Sequence, residues 1–126
     1  GSAEAKRVWT SGIRRSTSRI AHAELACALG AAVRQGRLAH ADAGAVDGAF
    51  LRGNADLIEA DDSIVTGAAV LGVRHGLKGL DAIHVSSALS LRELDPLVVS
   101  WDERQRAAAR AEGLPVYPET TTAALR

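Results

Sequence analysis

Residues 97–117, LVVSWDERQRAAARAEGLPVY, contain a complete strand–helix–strand unit. Leu97 to Val99 is an apolar run without alternation, the pattern of a strand covered on both faces in the middle of a parallel sheet. A charged helix is expected from about Glu103 to Glu112, with Gly113 as its stop, and Leu114 to Tyr117 reads as a second strand. Strands that alternate with helices through short loops belong to the α/β class, with a parallel sheet and helices on both faces.

The same alternation extends toward the N-terminus. In HGLKGLDAIHVSSALSL (75–91) the segment Gly76–Leu80 breaks one helix and Asp81 opens the next. Ala82, Ile83, Val85, Ala88, Leu89 and Leu91 make that second helix apolar nearly all round, so more than one face should be buried. Asp61, Asp62 and Ser63 read as caps for a helix running to about His75, with Ile64, Ala68, Leu71 and Gly72 on one side. Before it lie a strand over Asp56–Ala60 and a helix over Ala39–Leu51. A further helix starts at Ala21, carries the stripe Ala21, Leu25, Ala28, Leu29, Ala32 and Val33, and closes at Gly36. A short strand over Arg14–Ile20 and a helix over residues 3–11, ended by Gly12, complete the series.

Length and composition fit one domain. The 126 residues are 47% hydrophobic and only 3% aromatic, with no Met, so a core of small, closely packed side chains is expected. We read residues 1–118 as a single domain and 119–126 as a tail with little order signal. A formal net charge of zero excludes a strongly basic coat, so any nucleic-acid contact must be local. Cys27 is the sole cysteine, which rules out a disulfide framework and points to a reducing, cytoplasmic location. Its apolar neighbours make it read as a small buried hydrophobe. No apolar run has the length of a membrane span.

Three carboxylates stand at the starts of predicted helices: Glu24 in IAHAELACAL, Asp81, and Asp102. Ligands of parallel sheets gather past the C-terminal strand ends, where Asp102 follows one strand and Glu24 comes a few residues after another. Carboxylates gathered at such an edge can hold a hard divalent cation against a phosphodiester. Each acid also has a plain explanation. Asp81 and Asp102 suit helix N-caps, and Glu24 suits a first-turn carboxylate facing the helix dipole.

The strings SRIAHAELACAL, HGLKGLDAIHVSSALSL and LVVSWDERQRAAARAEGLPVYP resemble the PIN-domain ribonuclease toxins of the VapBC type, in order and across about Ala3 to Pro118. The resemblance implies a PIN-like three-layer α/β/α fold and an Mg²⁺- or Mn²⁺-dependent endoribonuclease acting as the toxin of a toxin–antitoxin pair. Glu24, Asp81 and Asp102 match the family's second, third and fourth acids, and so stand as catalytic and metal-binding candidates. RNA as substrate, a VapB-like antitoxin as partner and a homodimer follow from the same resemblance. The chain departs from the family at its start. The apolar strand that carries the first acid, central in the family sheet, has no counterpart before AEAKRVW, so the domain reads as N-terminally truncated, with three carboxylates rather than four and weaker ion binding expected.

Arg14 and Arg15, with Arg19, form the clearest basic cluster and are candidate RNA contacts, against the alternative of a solvated surface. Arg74, His75 and Lys78 form a second cluster. Ser100 is a candidate donor to a phosphate or a satisfier of local backbone, and Trp101 is expected to pack beneath the site. Two other readings stay open: a catalytically inactive PIN-like interaction module, and an Ala-rich structural domain whose acids only cap helices.

Overall fold

The computed structural model describes residues 3, 4, 7, 14–53 and 55–119. The chain is mixed α/β. Strand β1 is Arg15–Ser18, followed by helices α1 (Ile20–Arg34) and α2 (His40–Arg52) and strand β2 (Ala55–Ile58). Helices α3 (Asp62–His75) and α4 (Gly79–Ser90) follow, then a 3₁₀ turn at Arg92–Leu94, β3 (Val98–Val99), α5 (Glu103–Ala111) and β4 (Val116–Tyr117). Of the helix expected over residues 3–11, Ala3, Glu4 and Arg7 are helical, and the remainder lies outside the described residues. The tail from 120 onward also lies outside them.

The chain divides into two compact units. One takes the residues up to Ser16 together with His22–Leu57; the other takes Thr17–Ala21 and the residues from Ile58 onward.

The first unit holds most of α1 and all of α2. His22 Nε2 meets Asp47 Oδ1 at 3.2 Å, and its ring stacks on Phe50 with centroids 6.0 Å apart. Helix α1 buries none of its residues, and α2 buries only Ala43. Cys27 is therefore exposed, contrary to expectation: it shares an uncovered stretch of α1 with Ala26 and Ala28.

The second unit carries the main core. Leu71, Val85, Ala108, Ala109, Leu114 and Val116 are buried together, with Leu77, Ala88, Leu89 and Val98 packed against them. Helix α3 begins as its sequence requires: the Asp61 carboxylate accepts a hydrogen bond from the Ile64 amide at 2.9 Å. It ends at Gly76, whose φ of +66° is the left-handed conformation that glycine adopts without a Cβ penalty. Helix α4 lies close on α3 because position 67 is glycine. A Cβ there would stand 2.8 Å from Ser86 Oγ, which donates to the Ile64 carbonyl at 2.8 Å. Gly67→Ala should therefore cost about 1–3 kcal/mol, read as a lower midpoint in urea; an unchanged midpoint would mean that the helices shift apart at no cost.

The C-terminal ends of α3 and α5 are also joined by charge. Arg74 Nη1 donates to both Glu112 oxygens at 2.9 and 2.7 Å, and His75 Nε2 lies 2.7 Å from Oε2. Two of the three residues in the second basic cluster thus serve the fold. Hydrogen bonds from Arg74 and then His75 hold the Glu112 carboxyl below its ordinary pKa. Because the folded value is the lower one, this stabilisation is complete above the unfolded pKa and is lost as the pH falls through the folded pKa. Glu112→Gln should cost about 1–2 kcal/mol near neutral pH, a figure held down by the exposure of Arg74. Its deficit against the wild type should shrink as the solution is acidified. A deficit independent of pH would show that shape, not charge, is what Glu112 supplies.

Strand β1 pairs with β2 and β3 with β4, giving two two-stranded sheets among the described residues. The β3–β4 pair is parallel, with Val98 opposite Val116 and Val99 opposite Tyr117. Among the described residues β3 has one strand neighbour, β4, and Leu97 and Val99 are 53% and 39% exposed. Among the described residues no helix is long and apolar enough to cross a membrane.

Candidate active site

Asp102 follows β3 by three residues and is the N-cap of α5. Its Oδ1 accepts from the amides of Arg104 at 2.8 Å and Gln105 at 3.1 Å, as the plain reading of this acid predicted. Both bonds fall on Oδ1, so Oδ2 takes no part in the cap. The side chain is exposed.

Asp81 is different. Helix α4 starts two residues earlier than the sequence suggested, with Lys78 at the N-cap position, and Asp81 is the third helical residue. It does not cap the helix. Its half-buried carboxylate points toward α5, where Gln105 Nε2 donates to Oδ1 at 3.2 Å.

The two acids are connected through Ser100 and Gln105. The Asp102 amide donates to Ser100 Oγ at 3.0 Å, and Ser100 Oγ donates to Gln105 Oε1 at 2.8 Å. Gln105 then completes the path to Asp81. Ser100 therefore serves local backbone and the Gln105 side chain together. Below this loop the buried Arg106 donates through Nη1 to the Ser100 carbonyl at 2.7 Å, fixing the turn between β3 and α5, while its Nε has no hydrogen-bond partner among the described residues. Trp101 does not pack beneath the site. It is 44% exposed and meets Tyr117 edge to face, with centroids 6.5 Å apart.

Glu24 is half-buried on α1, just past the first turn, and it belongs to the first unit. Of the arginines, Arg14 Nε is bound to Asp56 Oδ2 at 2.7 Å and Arg19 to Glu59 Oε1 at 3.2 Å, both on exposed surface. Arg15 is half-buried within β1. Acids on and after β2 thus offset much of the cluster's charge.

Among the described residues no three His, Cys, Asp or Glu side chains form a group that could hold a metal ion unaided. Asp81 and Asp102 are an all-oxygen pair, which suits Mg²⁺. This ion keeps much of its water and is commonly held by one or two carboxylates together with substrate phosphates.

Sequence reasoning missed Gln105. Its spacing from Asp102 carries a signal that misleads: DERQ is the pattern of a capping box, in which the Gln would turn back to the N-cap amide. Ser100 takes that amide instead.

The architecture and the linked carboxylates define an α/β domain with acids at the starts of two helices in one unit. No family model and no solved structure matches the chain. Two curated proteins of Mycobacterium tuberculosis do: ribonuclease VapC45 of strain CDC 1551 / Oshkosh and ribonuclease VapC49 of strain ATCC 25618 / H37Rv. Each is 30% identical over 120 residues, spanning 94% of this chain and 83% of the relative. The chain belongs to the VapC family, and its mixed α/β architecture agrees with the PIN-like fold expected from the sequence.

Proposed function

We propose that the protein is a metal-dependent endoribonuclease and the toxin of a type II toxin–antitoxin pair. The observation that carries the reading is the path joining Asp81 to Asp102 through Ser100 and Gln105, in a chain similar to two ribonucleases over nearly its whole length. Helix capping accounts for Asp102, whereas Asp81 caps nothing: it is a half-buried first-turn acid whose plain role is limited to the helix dipole.

In the proposed site Asp81 and Asp102 would hold Mg²⁺ or Mn²⁺ through their carboxylates; Glu24, in the other unit, is a candidate ligand on the family resemblance alone. A cation bound there would supply a nucleophilic water at neutral pH and offset charge on the phosphate. Ser100 keeps the Asp102 backbone in place through its Oγ. Arg14 and Arg15 offer positive charge to the RNA backbone, with Arg14 exchanging Asp56 for a phosphate. A VapB-like antitoxin covering the acids, and pairing of two toxin copies, belong to the same reading. Its test is cleavage of a single-stranded RNA by the purified chain with Mn²⁺. Internal cuts that EDTA suppresses are expected; intact RNA, or cutting indifferent to EDTA, would sink the proposal.

A further inference from the structure

We infer that Gln105 is a positioning residue of this site, holding the Asp81 carboxylate in the orientation that receives the cation. The inference rests on the ribonuclease reading above and adds to it a residue whose amide sets the geometry of the acid.

Three features carry it. First, Gln105 is the third residue of α5 after the Asp102 cap, the place from which a Gln ordinarily returns to the N-cap amide. Ser100 Oγ occupies that amide at 3.0 Å, so the Gln105 side chain is released from capping and reaches another helix. Second, its amide can face only one way. An ionised carboxylate has no proton to give, so the group opposite Asp81 must be the NH₂, and the carbonyl is left facing the Ser100 hydroxyl. The hydroxyl in turn accepts from the Asp102 amide and must direct its single proton to Gln105 Oε1. The path from Asp102 to Asp81 thus has a fixed direction, set at one end by a backbone N–H and at the other by a carboxylate. Third, Gln105 engages only Oδ1 of Asp81, which fixes the rotamer and leaves Oδ2 to the ion. Partners of this kind, which bind a ligand's other atom, commonly govern affinity as well as orientation.

The experiment is a titration of the full chain with Mn²⁺, followed by the loss of the free-ion electron paramagnetic resonance signal, alongside thermal melting. Gln105→Met keeps the length and packing of the side chain and removes both polar ends. It should weaken Mn²⁺ binding about tenfold with little change in melting. Gln105→Asn keeps the amide but is too short to span Ser100 and Asp81, and it should weaken binding to a similar degree, so the test survives if one variant folds poorly. Asp81→Asn is the reference and should lose most of the binding. If Asp81→Asn loses binding while both Gln105 variants stay within about twofold of wild type, the role of Gln105 is overturned and the nuclease reading stands. If Asp81→Asn binds as the wild type does, the site itself is wrong and the role of Gln105 falls with it.

Discussion

Asp81→Asn is expected to lower Mn²⁺-dependent RNA cleavage at least about 100-fold, because removing one charge from a two-carboxylate cation site forfeits several kcal/mol of charge stabilisation. Folding should hardly notice. The amide that replaces the carboxylate still has a carbonyl oxygen to accept from Gln105 Nε2, and the α4 N-terminus gains nothing from Asp81 as a cap, because the cap position is Lys78. A loss of activity together with a melting temperature within about 2 °C of wild type is thus the signature of a functional acid. A drop in both would mean that Asp81 is a structural tie between α4 and α5.

Asp102 should separate its two roles when two substitutions are compared. Asp102→Ala removes an N-cap that serves two amides, so it should cost about 1–2 kcal/mol in stability and abolish cleavage as well. Asn caps a helix as well as Asp does, so Asp102→Asn should restore the stability. It should not restore cleavage, because the neutral amide offers the cation no charge. Chemical denaturation of both variants beside the cleavage assay checks this. If Asp102→Asn regains stability and activity together, Asp102 is a cap and nothing more.

Much of the local architecture was legible because its signals are short in range. Asp61 caps α3 as its position predicts, and Gly36, Gly76 and Gly113 end their helices at positive φ. The helical stripe Ile64, Ala68 and Leu71 is the buried face of α3. What misled were patterns with two physical meanings. An unbroken apolar run fits a central strand or an edge strand, and among the described residues the one strand partner of 97–99 is β4. Lys78 has no capping signature, so the start of α4 was displaced onto Asp81, the first residue there that has one. Trp101 and Cys27 are apolar and were expected inside, but burial depends on what covers a helix or loop, and no local pattern records that.

The site was legible in part for the same reason. Sequence placed Asp81 and Asp102 as candidates, and the structure brings them into one hydrogen-bonded path. Gln105 was hidden because the contact that matters spans twenty-four positions, whereas the capping pattern it imitates spans three. Arg106 was hidden by its type: it reads as part of a charged, solvated helix, yet it is buried and holds the Ser100 carbonyl.

The account turns on whether these two carboxylates do chemistry beyond holding helices. RNA cleavage with Mn²⁺, measured side by side for the wild-type chain and the Asp81→Asn/Asp102→Asn double variant, tests that most directly. The double variant keeps the acceptor atoms that the fold uses and loses both charges. Cleavage by the wild type, with none by an equally stable double variant, is the predicted result. Equal cleavage by the two proteins would contradict the account.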